Sequence, residues 1–309
     1  MLEANKRDVR EFLPEITLDR IMPPYRDYPF FRGRELYPFR PHASTFDMVN
    51  AWWLVEASIL AYAGKKFASP RFGDAGFNEV EFFDGAITQC YLVNNDDFLI
   101  LAFRGTEVRP KPGTLDFRNV IADIEADLKI RLVASGQRGK VHHGFKDALD
   151  EVWDKKSLFA RLRDKDNGKR TFWFTGHSLG AALATLAAQR YGKVRGLYTY
   201  GSPRVGDLVF MTGFPVKTYR FVNNNDIITK VPPAGRYHHV GALKYIDSQG
   251  NVHEEADTLE DAATDIQLGI SAFQDSLARM GSGLANLIPQ AIVDHVPILY
   301  ATYIWNSIP

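Results

Sequence analysis

From residue 46 onward the apolar positions fall into alternating long and short blocks. The stretch FDMVNAWWLVEASILAYAG (46–64) reads as a helix closed by Gly64, because glycine reaches the left-handed conformation that ends a helix at little cost. FLILAF (98–103) is a short, unbroken apolar run between Asn-Asn-Asp-Asp and Arg-Gly, the pattern of a strand buried on both faces. TFWFT (171–175) is a second such strand, and LGAALATLAAQRY (179–191) is a helix closed by Gly192. RGLYTY (195–200), KTYRFV (217–222) and HHVGALKYI (238–246) read as further strands. Strands alternating with helices predict an α/β fold, with a mostly parallel central sheet covered by helices on both faces. No internal repeat, low-complexity tract or long linker interrupts 46–309, so one domain is expected there.

The chain before this is different. Pro14, Pro23, Pro24, Pro29, Pro38 and Pro41 alternate with Tyr25, Tyr28, Phe30, Phe31, Tyr37 and Phe39. Proline at that density forbids a regular helix, and the aromatic residues give the segment something to bury. Residues 1–45 are expected to form an extended arm lying on the main body, in preference to an oligomer contact or a lipid contact.

Composition narrows the function classes. With 45% hydrophobic residues over 309 positions, the chain can bury a large core. Lys plus Arg equals Asp plus Glu at 37 each, so no global field draws in a phosphate backbone, and nucleic acid is not an expected partner. The lone Cys90 cannot form an internal disulfide. The start, MLEANKRDVREFLPE, lacks the apolar region of a secretory signal, and its acidic residues argue against a transit peptide. No run of about 18 apolar residues occurs, so no transmembrane segment is expected. Location is expected to be cytoplasmic, or exported by a route not readable here. The oligomeric state is not legible. No Cys pair, H-E-x-x-H, EF-hand or Walker spacing is present, so no metal and no cofactor are expected.

The chemistry is carried by Thr175-Gly176-His177-Ser178-Leu179-Gly180-Ala181-Ala182. G-x-S-x-G alone is a weak signal, but here a buried strand enters it and a helix leaves it directly. A serine at a tight strand-to-helix turn is held in a strained conformation that lifts its hydroxyl above the sheet edge. Side chains two positions either side would collide, which explains Gly176 and Gly180. The new helix aims unpaired N–H groups at the place where an oxyanion forms.

With these residues in view, the sequence resembles the fungal-type (class 3) lipase family of the α/β-hydrolases. Phe103-Arg104-Gly105-Thr106, Val141-His142-His143-Gly144-Phe145, Thr199-Tyr200-Gly201-Ser202-Pro203-Arg204-Val205-Gly206, YRFVNNNDIITKVPP (219–233), His239-Val240-Gly241 and Asp294-His295 look like that family's blocks, in the family's order. The resemblance implies that Ser178 is the nucleophile, Asp226 the acid and His295 the base. It also implies that Thr106 stands at the oxyanion hole, with the Leu179 N–H as second donor. No cofactor is implied. One departure is visible: the family has an aromatic residue about three positions after the histidine, whereas here Tyr300 follows His295 by five.

The residues agree with these roles. Ser178, Asp226 and His295 follow the chain order of an α/β-hydrolase triad. His295 would take the serine proton and return it to the leaving alcohol, and Asp226 would hold the imidazole tautomer. Each oxyanion donor is worth about 3 to 4 kcal/mol. Competing histidines are His238 and His239 at a strand start and His253 in the polar run DSQGNVHEE; His142, His143 and His177 are expected to be structural. The rival acids are Asp207, which follows GSPRVG, and Asp247.

Two stretches are lid candidates. Residues 107–119 (EVRPKPGTLDFRN) make a poor amphipathic helix, broken by Pro110, Pro112 and Gly113. Within 257–288, Leu259, Ala262, Ile266, Ile270, Phe273, Leu277, Met280, Leu284 and Leu287 recur at helical spacing, as either a face packed on the body or a cap. The expected function is hydrolysis of lipid carboxylic esters (a triacylglycerol lipase or carboxylesterase), in transient contact with a lipid–water interface. A phospholipase or other acyl hydrolase is the rival within the enzyme class. A non-catalytic lipid- or partner-binding protein is the rival outside it.

Overall fold

The apolar runs around residues 100 and 173 lie side by side at the centre of an eight-stranded sheet. The computed structural model describes residues 23–106, 131–253 and 290–309; both lid candidates, 107–119 and 257–288, fall outside the described residues. The sheet contains β1 (Glu79–Asp84), β2 (Gln89–Asn94), β3 (Phe98–Phe103), β6 (Thr171–His177), β7 (Gly196–Tyr200), β8 (Thr218–Asn223), β9 (Ala242–Ile246) and β10 (Val252–His253), in that spatial order. A two-stranded sheet pairs β4 (Leu132–Ala134) with β5 (Lys140–His142). The pairs from β3 through β6, β7 and β8 to β9 are parallel, whereas β1, β2 and β10 add antiparallel margins. This is the mostly parallel sheet that the alternation predicts, in the α/β-hydrolase arrangement that the family resemblance implies.

Side-chain alternation splits the core into two layers. Phe98, Ile100, Ala102 and Trp173 face one layer, while Leu99, Leu101, Phe103, Phe172 and Phe174 face the other. On the first face lie helices α1 (Met48–Leu60) and α8 (Pro297–Asn306), where Trp52 meets Trp305 edge-on at 4.9 Å. On the second face lie α5 (Leu179–Tyr191), α3 (His143–Trp153) and α4 (Leu158–Lys165). Further helices are α2 (Lys65–Asp74), α6 (Leu208–Thr212) and α7 (Gln290–Val293).

Within the predicted 46–64, α1 forms over Met48–Leu60, capped by Asp47, whose carboxylate accepts from Asn50 N; it ends four residues before Gly64, which at φ −66° opens α2 instead of closing α1. Strand β9 starts four residues later than the sequence suggests, because Gly241 takes a left-handed φ of +83° before it.

Within 23–45 the chain folds as successive turns on the first core layer rather than as a straight extended run. Examples are Arg34 N to Phe31 O at 3.1 Å and Tyr37 N to Gly33 O at 3.0 Å. Gly33 sits at φ +98° with its Cα against Trp305, where an added Cβ would lie 2.3 Å from the indole. Buried Glu56 of α1 gathers this segment: it accepts from Tyr28 Oη at 2.5 Å, Phe31 N at 3.1 Å and Trp52 Nε1 at 3.0 Å. A buried carboxylate is tolerable only when hydrogen-bonded in this way.

Candidate active site

The elbow around Ser178 forms as its residue types require. Strand β6 ends at His177 and α5 begins at Leu179, leaving Ser178 at φ 59°, ψ −130°. That conformation costs a non-glycine residue about 1 to 3 kcal/mol. It is held by Ser178 N donating to Tyr200 O at 3.0 Å and by close packing of the two flanking glycines. A Cβ on Gly176 would lie 2.2 Å from Gly180 O, and one on Gly180 would lie 2.4 Å from Phe103 O. Leu179 is the first residue of α5, so its N–H has no carbonyl one turn back to bond. Thr106 is half-buried just beyond the end of β3.

Asp226 follows β8 at the same sheet edge and is fully buried. Its carboxylate meets His295 Nδ1 at 2.9 Å from Oδ1 and 2.8 Å from Oδ2. Because a carboxylate only accepts, the Nδ1 proton lies between them, and Nε2 is the nitrogen left to take a proton. Gly201, left-handed at φ +56°, lets the pair close over the end of β7. A Cβ there would stand 2.7 Å from Asp226 Oδ2 and 2.9 Å from His295 Nδ1. Ser178 and His295 make no hydrogen bond to each other in this structure; such contacts commonly tighten only with substrate bound.

Two further groups brace the Asp226 carboxylate, and the sequence gives neither of them this part. Tyr300 Oη donates to Asp226 Oδ2 at 2.5 Å and accepts from Asn223 N at 3.0 Å. Burial, and then the neighbouring Asp226 charge, hold the Tyr300 phenol well above its usual range, so it stays a donor. Tyr300 lies in the first turn of α8, which Pro297 starts directly after the histidine; that short helix brings a tyrosine five residues on within reach of the acid. The signal was its shifted aromatic spacing.

The second is Asp294. Its Oδ2 accepts from Asn224 Nδ2 at 3.0 Å and Asn225 N at 3.1 Å, and its Oδ1 accepts from Gln290 Nε2 at 2.8 Å. Its backbone oxygen accepts from Asn223 Nδ2 at 2.9 Å. The three asparagines before Asp226 thus bind the residue before His295, tying the Asp226 loop to the His295 loop. Burial raises the Asp294 carboxyl above the ordinary aspartate range.

The rival residues are occupied elsewhere. Asp207 caps α6 through Phe210 N at 2.8 Å and also accepts from Lys140 N at 3.1 Å. Asp247 pairs with His253 at 2.9 Å on the surface. His239 Nε2 meets Thr229 O at 2.9 Å, and His143 pairs with Asp147 at 3.1 Å. His142 Nδ1 accepts from Phe145 N at the start of α3. Among the described residues no cluster of three His, Cys, Asp or Glu side chains could hold a metal, and no helix is long and apolar enough to cross a membrane.

His177, the residue before the serine, is 2% exposed. Burial, reinforced by His295 nearby, holds its pKa well below 6.5. The unfolded chain therefore binds a proton near pH 6.5 that the folded state refuses, so stability is complete above that pH and is lost as pH falls toward the depressed folded value. The loss is about 1.4 kcal/mol per pH unit across this window. We expect Tm to fall between pH 6.5 and 5, and to fall less for His177→Gln; equal slopes in the two proteins would exclude His177 as a cause.

The central part of the chain is similar to known lipases. Residues 100–235 match the family model described as lipase (class 3). Over 144 residues the chain is 34% identical to secreted mono- and diacylglycerol lipase 1 of Fusarium solani, an alignment covering 44% of this chain and 42% of that lipase. It is 31% identical over 185 residues to chloroplastic phospholipase A1-Igamma1 of Arabidopsis thaliana, covering 48% of this chain and 34% of the relative. The chain therefore spans only about two-fifths of the length of such curated relatives. A solved triacylglycerol lipase, described as having a serine protease triad at its catalytic centre, superposes with a TM-score of 0.52 at 25% identity, covering 66% of this chain and 82% of its own. The matched segment contains both the elbow and Asp226, on the sheet this fold shares with that lipase. Residues 100–235 thus match the class 3 lipase family, and the sheet that carries them has the α/β-hydrolase fold of the solved lipase.

Proposed function

We propose that the chain hydrolyses carboxylic esters of lipids as a serine hydrolase, with triacylglycerol or partial-glyceride esters as the first substrate class. The observation that carries this reading is the fully buried Asp226 carboxylate on His295 Nδ1, at the sheet edge where Ser178 sits strained at the start of a helix. Ser178 Oγ attacks the ester carbonyl as His295 Nε2 takes its proton. The carbonyl oxygen becomes an oxyanion, stabilised by the Leu179 N–H and by Thr106. His295 then protonates the leaving alcohol, and the acyl group stays on Ser178. Water, deprotonated by His295, attacks the acyl-enzyme and releases the fatty acid. Asp226 holds the imidazole tautomer and stabilises its cationic form.

The triad does not sense the head group, and the likeness to a phospholipase A1 favours phospholipid esters as the second substrate class. The deciding experiment uses nitrophenyl esters of graded acyl length, a triglyceride emulsion and phospholipid vesicles, with a fluorophosphonate probe in parallel. Hydrolysis of the esters with probe attached to Ser178 is expected. An unlabelled, inactive protein would leave only a binding role. Deletion of 262–285 tests the cap reading of 257–288 against the packed-face reading: a shifted chain-length profile supports the cap, and an unchanged profile in the folded protein counts against it.

Gly201 supplies a further test. Alanine there meets both members of the acid–base pair and takes a left-handed φ. Gly201→Ala should lower kcat about a hundredfold, the cost of roughly 1 Å of misplacement. A variant within twofold of the parent would mean that the pair tolerates displacement.

A further inference from the structure

We infer that His177 and Tyr62 are positioning residues that join the nucleophile, base and oxyanion loops, through hydrogen bonds between the first two and the close packing of Tyr62 on Gly105. This inference rests on the roles proposed for Ser178, His295 and Thr106. The imidazole of His177 is used at both nitrogens: Nε2 lies 2.9 Å from the backbone oxygen of His295, and Nδ1 lies 2.9 Å from Tyr62 Oη. A carbonyl oxygen can only accept, so Nε2 carries the proton and Nδ1 accepts from the Tyr62 hydroxyl. Tyr62 Oη also packs closely on the backbone of Gly105, one residue before Thr106. This contact is close: a Cβ on Gly105 would fall 2.0 Å from Tyr62 Oη and 2.7 Å from His177 O. The backbone at 105 must therefore be bare for the tyrosine to reach across.

Each link starts on rigid structure. His177 is the last residue of β6, and Tyr62 lies in the turn that ends α1. The His295 ring lies on the His177 ring, with centroids 4.4 Å apart. Any swing of the base loop would break the carbonyl contact and expose a buried imidazole. Burial keeps His177 neutral and the Tyr62 phenol protonated, which preserves the direction of both hydrogen bonds. The residue between Gly176 and Ser178 thus does more than fill the strand: it sets the depth of the base loop against the elbow, and through Tyr62 the height of the oxyanion loop.

The test compares His177→Gln, His177→Leu and Tyr62→Phe. Glutamine can donate from Nε2 and accept at Oε1, replacing both bonds, whereas leucine fills similar space without either. On a nitrophenyl ester, His177→Leu should lower kcat about a hundredfold with KM within twofold, the penalty of a misplaced base. His177→Gln should recover most of that loss, and Tyr62→Phe should fall between. In spectra of protein with 15N-labelled histidine, His177 should be a single Nε2–H tautomer that becomes mixed in Tyr62→Phe. Matching circular dichroism confirms folding. A His177→Leu protein with undiminished kcat overturns the inference, as does a glutamine variant no better than leucine or a tautomer indifferent to Tyr62. In those outcomes the parent still hydrolyses ester and labels at Ser178, so the proposed function stands. A parent that does neither overturns both readings.

Discussion

Ser178→Ala and His295→Ala should each lower kcat by about 10⁶-fold, and the double variant should be scarcely worse than either single one. The near-equality follows from how the groups act. Without the hydroxyl there is no acyl-enzyme, and without the imidazole the hydroxyl remains a weak, protonated nucleophile. What survives, about 10³- to 10⁴-fold over water, comes from the oxyanion donors and substrate binding. Both variants should fold. Alanine at 178 keeps the main chain, with Ser178 N still on Tyr200 O at 3.0 Å, and the elbow remains fixed by Gly176 and Gly180. His295 lies on a loop whose backbone oxygen is held by His177 Nε2. Near-UV circular dichroism and steady-state hydrolysis of a soluble ester provide the measurements. A His295→Ala protein retaining a tenth of parental kcat would exclude that imidazole as the general base.

The central strands and the elbow were legible because their physics is local. Strands β3, β6, β7 and β8 are short apolar runs between polar breaks, and α5 is an alanine-rich run with a glycine stop. The margins were less legible. Strand β1 carries Glu79, Glu81 and Asp84 and is mostly half-buried, so no apolar run announces it; its place is fixed by antiparallel pairing with β2 across Phe83–Cys90. In helix α8 the one sign that its first turn touches Asp226 is the shifted spacing of Tyr300 from His295. The family resemblance put Asp226 and His295 forward, and their chain order agreed with it. The contact between them depends on Gly201, Asp294 and Tyr300, residues whose part is set by three loops meeting at the ends of parallel strands. Asp294 is the clearest case: beside a histidine in sequence it reads as part of a dipeptide block, yet its partners are Asn223, Asn224 and Asn225, some 70 residues away. Tertiary placement of this kind leaves no period in the chain.

The same meeting of loops makes Asp226→Asn the second large loss, about 10⁴-fold in kcat with KM little changed. The cause can be counted in donors. The carboxylate accepts from three groups in the buried site: His295 Nδ1, Tyr300 Oη and Ile228 N. An amide of the same shape offers one oxygen and one NH₂, and the NH₂ cannot accept from any of the three. If the oxygen stays on Ile228 N, the NH₂ faces Tyr300 and the imidazole. The ring then prefers to accept at Nδ1 and carry its proton on Nε2, the tautomer that cannot deprotonate Ser178. If the amide flips, Ile228 N loses its partner and the turn after Asp226 loosens. Tyr300→Phe is the control: it removes one donor, leaves the tautomer set by the carboxylate, and should cost much less activity. The tautomer can be read from the 15N shifts of His295 in both variants. An Asp226→Asn protein that keeps the Nδ1–H form, or loses no more than Tyr300→Phe, would show that the imidazole is oriented without the acid.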